Sequence, residues 1–345
     1  ILRGGVERSD PTEDATATAT PTEASGDDAA VGSDGLATHV ITNPERDRFA
    51  LVDRRTPDEP VVTWERPDGV DGETYPADVL VHPSSTPDDL EVVSRWSVGE
   101  SDTFARTVVR DGEVVVNRVM DVQPDNAGGA AETADVAPVF STDGRWLAWV
   151  ETPRATSGPS QVRVVGWGPD GPTGETTTIS ASGDVARPMS LLDWASSPEE
   201  DVLTMSPAPG PGPSAGGTMI ELRLPHQPGQ PADPTAPGEW GEVELPGVLF
   251  EAGSFLFEDG SERYVAYAGE DDVLYARADE PETAVATGAY AFSEGRVVSF
   301  GPDNALVHTA GGSWQRVQVD DGATSTVSMP DTTVAVLPWQ APETG

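Results

Sequence analysis

Four histidines are the side chains of this sequence best suited to proton transfer, because imidazole changes its charge near neutral pH. None of them lies in an H-E-x-x-H or similar metal-ligand spacing, and no G-x-S-x-G turn that would present a serine nucleophile occurs. A Ser/His/Asp triad built from distant residues leaves no spacing signature. We expect His226 to be solvated within a proline-rich loop, and His308 to lie on a strand in a structural role. The four are His39, His82, His226 and His308.

Carboxylates occur in short clusters, which is the arrangement that glycosidases and Ca²⁺ sites use. The EF-hand pattern D-x-[DN]-x-[DN]-G is absent. In a chain this acidic such clusters arise by chance, so we interpret them as turn acids and solvated faces, with a Ca²⁺ site as the alternative. We therefore assign no catalytic, cofactor-binding or metal residue and no resident cofactor, and the ligand-binding residues stay open. The clusters are Asp88–Asp89, Glu199–Glu200–Asp201, Glu270–Asp271–Asp272 and Asp320–Asp321.

Tryptophan and arginine are the other side chains that could recognise a ligand. Exposed tryptophans stack on sugar rings, but their strand positions here favour packing between sheets. Arg54, Arg55 and Arg187 could bind an anion, yet a surface dominated by acid favours structural ion pairs for the arginines. The tryptophans are Trp64, Trp96, Trp146, Trp149, Trp167, Trp194, Trp240, Trp314 and Trp339.

The 59 acidic residues far outnumber the 20 basic ones, giving a formal net charge of −39. All basic residues are arginine, and cysteine is absent. The missing cysteine excludes disulfides, thiol catalysis and cysteine-ligated metals, and the missing lysine excludes Schiff-base chemistry and a Walker-type phosphate loop. Because the charge repels a phosphate backbone, we predict no nucleic-acid partner. Three explanations of the acidity stay open: solubility of a secreted protein, adaptation to a salt-rich habitat, and a cation-binding surface.

Residues 1–36 are built from Thr, Ala, Asp, Glu, Pro, Ser and Gly, with almost no large apolar side chain after Val6. Such a segment buries too little surface to offset its conformational entropy, so it is predicted to be a disordered tether. Threonines 16, 18, 20 and 22 are possible O-glycosylation sites. Since the chain begins with Ile1, we expect a processed product whose signal peptide or membrane anchor lies upstream.

Residues 37–345 form one predicted domain of short Val-, Trp- and Tyr-rich runs separated by Gly, Pro, Asp and Ser. Period-two alternation bounded by turn residues indicates β-strands, and no convincing helical period or apolar run of membrane-spanning length occurs. The domain is therefore predicted to be all-β. The clearest strands are RWLAWVE (145–151), QVRVVGW (161–167), ETTTIS (175–180), MIELRL (219–224), RYVAYAG (263–269), DVLYARA (272–278), GRVVSFG (295–301) and SWQRVQV (313–319).

One hairpin pattern recurs along this domain. Its best copy is PVFSTDGRWLAWVE (138–151), in which the Ser-Thr-Asp-Gly turn separates a short strand from a longer returning strand. Weaker copies span 41–53, 81–96, 193–206, 255–269 and 291–301. Intervals of this size suit four-stranded blades. The predicted returning strands begin near Arg48, Leu90, Arg145, Val202, Arg263 and Arg296, at intervals of 33 to 61 residues.

The segment from Phe140 to Val150 resembles the repeat of TolB-type, WD40-like β-propellers, F-S-P-D-G-[RK]-x-[LI]-A-[FWY], with Thr142 in place of the proline. The resemblance implies a β-propeller, and radial stacking would also bury both faces of each sheet. Six returning strands predict six blades, with seven as the alternative. The tail TTVAVLPW (332–339) is predicted to close the ring, and 122–136, 205–217 and 225–238 to be exposed loops.

These observations predict a non-catalytic, extracytoplasmic β-propeller that acts as a binding or scaffold module, such as the sensor or accessory domain of a membrane-anchored envelope protein. We expect a monomer whose partner is a protein or a cell-envelope component, with a membrane contact only through an upstream anchor. Two alternatives stay open: a carbohydrate-active or other hydrolytic propeller enzyme, and a structural surface or adhesion component.

Overall fold

The architecture of the domain was obtained from a computed structural model. All residues it describes belong to the unit Asp34–Gly345. The predicted tether lies outside them. The described residues are 38–43, 45, 47–53, 56, 59–70, 76–98, 101–124, 133–134, 137–153, 160–180, 188–207, 217–226, 233, 238–257, 260–268, 273–283, 285–286, 296–301, 304–308, 313–318, 322–330 and 332–337.

The described strands form six antiparallel sheets arranged in a ring, which is a six-bladed β-propeller. Period-two burial, as in Gln161–Gly168, shows why these sequences form strands packed on neighbouring sheets. Blade one contains β1 (Thr38–Thr42), β2 (Arg48–Asp53), β3 (Pro60–Glu65) and, from the other end of the chain, β25 (Thr333–Val336). Blade two contains β4 (Pro76–Val81), β5 (Asp89–Val98), β6 (Ser101–Arg110) and β7 (Glu113–Val119).

The other four blades follow in chain order. Blade three contains β8 (Thr133–Ala134), β9 (Val139–Phe140), β10 (Trp146–Pro153), β11 (Gln161–Gly168) and β12 (Gly171–Ser180). Blade four contains β13 (Pro188–Ser196), β14 (Glu200–Pro207), β15 (Gly217–Pro225) and β16 (Glu239–Leu245). Blade five contains β17 (Leu249–Phe257), β18 (Gly260–Ala268), β19 (Val273–Arg277) and β20 (Val285–Ala286). Blade six contains β21 (Arg296–Gly301), β22 (Asn304–His308), β23 (Trp314–Gln318) and β24 (Thr324–Val327).

The ring closes by pairing the two ends of the domain. Strand β25 pairs antiparallel with β1, with Val40 opposite Ala335 and His39 opposite Val336. It takes the place of the first, innermost strand of blade one, so the prediction of a closing tail strand is confirmed. Closure leaves blade one with four strands and gives the ring no open end.

The predicted hairpins of blades two to five join the first and second strands of their blades, and the copy at 41–53 is also a hairpin, which joins β1 and β2. The prediction of a returning strand at Arg296 is wrong. Arg48 begins the third strand of blade one, because the C-terminal strand supplies the first. Arg296 begins the innermost strand of blade six, and the true hairpin partner is β22. The second strands of the blades are therefore spaced more evenly than predicted, 44 to 60 residues apart. They begin at Thr38, Asp89, Trp146, Glu200, Gly260 and Asn304.

The hydrophobic core lies in the spaces between adjacent blades. Aliphatic and aromatic side chains of blade three pack on those of blade four, with Trp146 stacked on Trp194 at 6.3 Å between ring centroids. The prediction that tryptophans pack between blades is confirmed for the described ones, with Trp146 and Trp240 only half-buried and Trp339 outside the described residues. The buried tryptophans are Trp64, Trp96, Trp149, Trp167, Trp194 and Trp314.

Helical structure contributes little to the described part of the chain, where Pro281–Thr283 forms a single 3-10 turn. No helix in that part is long and apolar enough to span a membrane. Much of the three predicted loops, residues 125–132, 208–216 and 227–232 among them, lies outside the described residues. The strand predicted between the second and third loops is β15, as expected.

Candidate functional site

Blade four carries a row of polar residues on one of its two faces. Asp193 on β13 lies opposite Thr204 on β14, which lies opposite Glu221 on β15. The next residues along β13 and β14, Trp194 and Leu203, pair in the same way. Since neighbouring residues of a strand point to opposite faces, the three polar side chains form a row on the face that meets blade five.

Blade five supplies the partners of this polar row. Ser254 Oγ donates to Asp193 Oδ1 at 2.9 Å. Arg263 Nη2 donates to Thr204 Oγ1 at 3.1 Å and to Glu221 Oε1 at 2.5 Å. Ser254 and Arg263 lie opposite each other on β17 and β18, so one cross-strand pair engages the whole row. We call these five residues the polar seam.

Asp193 is the carboxyl with the most altered acidity in the seam. Burial raises its pKa from an ordinary 3.8 to about 6, and the Ser254 hydrogen bond and the Arg263 charge only partly offset this effect. Glu221 behaves in the opposite way. Burial raises its pKa too, but Arg263 and Arg223 outweigh that effect and hold the pKa below its usual value. The seam therefore contains one firmly ionised carboxylate and one that titrates close to neutral pH.

A second polar group ties three blades together at the turn of the best hairpin copy. The Thr142 amide donates to Trp194 O at 3.0 Å. The Thr142 hydroxyl lies 2.9 Å from Ser261 Oγ and accepts from the Ser196 amide at 2.9 Å. Ser261 donates its single proton to Ser196 O at 2.5 Å, so Thr142 is the donor to Ser261. We call Thr142, Ser196 and Ser261 the hydroxyl pin; it joins blades three, four and five.

The aspartate and the glycine of this turn are each required for a different structural reason. Asp143 accepts from the Ser141 hydroxyl at 2.7 Å and from the Arg145 amide at 3.0 Å, which closes the turn. Gly144 adopts a positive φ of 70°. A Cβ there would also lie 2.6 Å from the His82 ring of blade two. The turn is therefore a contact between blades as well as a link between strands.

Asp201 and His226 form a buried pair that the sequence did not predict. Asp201 is fully buried, and its Oδ2 accepts from Trp194 Nε1 at 3.0 Å. His226 Nε2 lies 2.9 Å from Asp201 Oδ1, and the imidazole is only 6% exposed. The expectation that His226 is solvated is wrong, because its amide donates to Glu199 O and extends the ladder of β15 into the loop.

The acidic cluster at 199–201 thus divides between surface and core. Glu199 is exposed, as expected of a turn acid. Asp201 was expected to be solvated, which is wrong. Burial raises its pKa, and the Asp143 charge adds to that effect, while Trp194 and His226 lower it. Of the other predicted clusters, Asp88 and Asp89 are exposed, and 270–272 and 320–321 lie outside the described residues.

Two further histidines have structural positions, and the side chain of His308 on β22 is not described. His39 is 1% exposed on the closing sheet. His82 Nε2 donates to Gly144 O at 2.8 Å, its Nδ1 accepts from the Ser84 amide at 3.2 Å, and its ring packs on Phe140. No group of three or more His, Asp or Glu that could hold a metal ion occurs among the described residues.

Many arginines of the described blades pair with acids, as predicted, whereas Arg54, Arg55 and Arg187 lie outside the described residues. The following pairs each join two strands of one blade. They are Arg95–Asp78 at 2.5 Å, Arg106–Glu91 at 2.5 Å, Arg163–Glu151 at 2.8 Å, Arg223–Glu200 at 2.7 Å and Arg277–Glu262 at 2.7 Å.

The sequence carried one signal for the polar seam that pattern reading missed. Asp193 interrupts the apolar run SLLDWA, and Glu221 interrupts MIELRL. A single acid inside an otherwise apolar strand must be either paired or exposed at an edge. The sequence does not identify the partner, because Ser254 is 61 residues from Asp193 and Arg263 is 42 residues from Glu221.

No family model and no curated protein matches this chain. Among solved structures, an ACO/RPE65 chimera is similar with a TM-score of 0.49, 9% identity and coverage of 86% of this chain and 71% of that chain. The Aleuria aurantia lectin in complex with Fucα1-6GlcNAc has a TM-score of 0.41, 11% identity and coverage of 90% and 98%. YCF48 bound to a peptide has a TM-score of 0.37, 12% identity and coverage of 85% and 85%. Likenesses at this level carry no argument about what this chain binds.

Proposed function

We propose that this chain is a binding or scaffold module of the TolB-like propeller type that works outside the cytoplasmic membrane, as the sensor or accessory domain of an envelope protein. Its partner is a protein or a cell-envelope component, and its N-terminal segment is a tether. The proposal combines the six-bladed fold with the F-S-T-D-G-R-W-L-A-W repeat of residues 140–149 and the Thr-, Pro- and acid-rich composition of residues 1–36.

The observation that carries the proposal is that polar side chains between blades three, four and five pair with one another across the blades. Arg263 binds Glu221 and Thr204, Ser254 binds Asp193, and the hydroxyl pin joins three blades. These groups bind one another across the blades and hold the blades in register. A ring stiffened in this way suits a pre-organised recognition surface, since rigid binders lose less entropy on association.

Thermal denaturation of the full chain tests the proposal. The ligands are cell-wall glycans, purified envelope proteins, CaCl₂ and NaCl. We expect a saturable rise in Tm with one glycan or one envelope protein, because a ligand of the native state stabilises it by mass action. The same ligands are then incubated for hours and analysed for hydrolysis products. Turnover by the wild type that is lost in the Asp193→Asn variant and kept in the Glu244→Gln control would make the protein an enzyme and overturn the proposal. A rise with NaCl alone, with no glycan or protein effect, would also overturn it.

A further inference from the structure

Strand β12 forms the outer edge of blade three. It pairs with β11 on one side, and no described strand pairs with its other side. From Thr177 to Ser180 the ladder with β11 is regular, with Thr177 opposite Val164 and Ser180 opposite Gln161. The exposed residues of the strand are Thr173, Gly174, Glu175, Thr176, Thr178 and Ser180.

The outer strands of three other blades carry features that block edge pairing. Strand β16 exposes Glu239, Glu242 and Glu244, and charges of this kind oppose the approach of another strand. Strand β3 starts with a proline. Strand β7 has a bulge in its ladder with β6, and the Asp68 segment occupies its outer edge through two backbone hydrogen bonds. Each of these features hinders pairing with a further strand.

Strand β12 has one bulge in its ladder with β11, between Thr173 and Thr177, and lacks these features from Thr177 to Ser180. The sequence ETTTIS contains one charge, no proline and no glycine, and four of its residues are β-branched. Strand β24 of blade six is similar in composition, TSTV, but its whole length is four residues, against ten for β12. An exposed and regular strand with unpaired backbone groups is a template for another strand.

The strand is also held rigidly before any partner binds. Arg106 of blade two donates from Nη1 to Asp170 O at 2.7 Å, which fixes the β11–β12 hairpin against the next blade. Arg163 donates to Thr178 Oγ1 at 2.5 Å and to Glu151 Oε2 at 2.8 Å. Arg163 is paired with Glu151 and Arg106 is paired with Glu91, so Glu175 is the exposed charge that a partner meets on this strand.

Charge decides the occupant of this edge. A second copy of the chain would bring another −39 toward the first, and pairing of six residues buries far less than the roughly 1,000 Å² of a stable interface. A basic segment would be attracted instead. Building on the proposed binding function, we propose that β12 docks an extended, lysine- or arginine-bearing segment of a partner protein, which adds a further strand to the outer edge of blade three.

A designed peptide tests the docking edge. The probe is a fluorescein-labelled heptapeptide Lys-Thr-Val-Thr-Val-Thr-Lys, titrated with the full chain in fluorescence anisotropy at low salt. Neighbouring residues of an edge strand direct their amides to opposite sides, so one of Thr177→Pro and Thr178→Pro removes an outward amide and the other an inward one. We expect the outward variant to keep the wild-type Tm and to weaken peptide binding by about tenfold or more. The matched controls Ser325→Pro and Thr326→Pro on β24 should leave binding unchanged.

The outcomes separate the docking edge from the proposed function. If the peptide binds the wild type and neither β12 variant with a native Tm weakens it, or if the β24 controls weaken it equally, the docking edge is wrong. If the peptide does not bind the wild type at millimolar concentration, the docking edge is also wrong. In each case a saturable Tm rise with a glycan or an envelope protein would leave the binding function standing.

Discussion

Blade four meets its two neighbours through unlike faces. Toward blade three it presents Trp194, which stacks on Trp146 with an interplanar angle of 7°, together with aliphatic side chains. Toward blade five it presents Asp193 and Glu221, which bind a serine and Arg263, beside an apolar cluster that includes Met219 and Leu245. The same three strands make both faces, and the alternation of side chains along each strand is the only local difference between them.

The two faces also differ in how closely they specify the position of the next blade. Apolar packing is non-directional and tolerates small shifts, whereas charged hydrogen bonds lose most of their strength when donor and acceptor move apart. We infer that the apolar face supplies most of the stability between blades three and four, and that the polar seam sets the position of blade five. Mutations on the two faces should then have different signatures.

The largest effect is expected from Trp194→Ala on the apolar face. The change leaves a large cavity and removes the indole N–H donor of buried Asp201, so we expect a loss of about 5 kcal/mol in the free energy of unfolding. Urea denaturation followed by circular dichroism measures it. Trp240→Ala, at a half-buried tryptophan on the same face, should cost clearly less. Equal losses would contradict the leading part assigned to Trp194.

Arg263→Ala should be the next most damaging change, and it acts on the polar seam. Glu221 would keep Arg223 but lose its most buried partner, and Asp193 would lose the charge that favours its ionised form. Removing one member of a buried ion pair costs about 3–5 kcal/mol. The control is Arg145→Ala, whose half-exposed pair with Asp143 should contribute less than about 1 kcal/mol. Similar urea midpoints for the two variants would show that the seam is not needed for stability.

Asp193→Asn is expected to change the pH dependence of stability. The folded pKa of about 6 lies above the ordinary 3.8, so the contribution of Asp193 is fully present below pH 4 and is lost as the pH rises through 6. The wild type should lose about 3 kcal/mol between pH 4 and pH 8 through this group. The asparagine variant should lack that loss and be more stable than wild type at pH 8. If the stability of the wild type and of the asparagine variant changed in parallel from pH 4 to pH 8, the burial of an ionised Asp193 would be contradicted. Glu244→Gln, at an exposed acid, is the surface control.

The smallest effect is expected at the hydroxyl pin. Thr142→Pro introduces a proline into the Ser-Thr-Asp-Gly turn and removes the amide that donates to Trp194 O and the hydroxyl that binds Ser261. We expect a loss of about 1–3 kcal/mol, and a loss below about 1 kcal/mol in Thr142→Ser, which keeps both groups. Thermal unfolding compares the two. A stabilised proline variant would mean that the threonine has no role in holding the blades together.

Much of the fold was predictable because strands depend on local pattern. The Ser-Thr-Asp-Gly turn, the alternating Trp and Val residues, and the count of six returning strands indicated six blades, and the tail strand indicated closure. The sequence predicts a returning strand at Arg296, because GRVVSFG resembles one when its neighbours are unknown, but Arg296 begins the innermost strand of blade six. The hairpin at 41–53 joins the second and third strands of its blade, which the sequence alone does not reveal because it does not say which blade receives the tail.

The candidate site was far less predictable, for a reason visible at two residues. His226 lies in a proline-rich sequence that indicates a solvent-exposed loop. A backbone hydrogen bond to Glu199 O nevertheless places its imidazole next to buried Asp201. Asp193 interrupts an apolar run, but the sequence does not say whether it is paired or at an exposed edge, because its partner Ser254 is 61 residues away. The environment of each residue is formed by residues that are distant from it in the sequence.

The sequence by itself determined the strands, the turns, the acidity and the chemistry that the chain lacks, because these depend on residue types and on their short-range spacing. Tertiary structure alone decided which acids became buried, which blade received the closing strand and which outer edge stayed open. The physical reason is that a buried charge needs a partner, and here the two residues of each pair belong to different blades and are 42 or 61 positions apart in sequence. Only the stacking of blades brings them together.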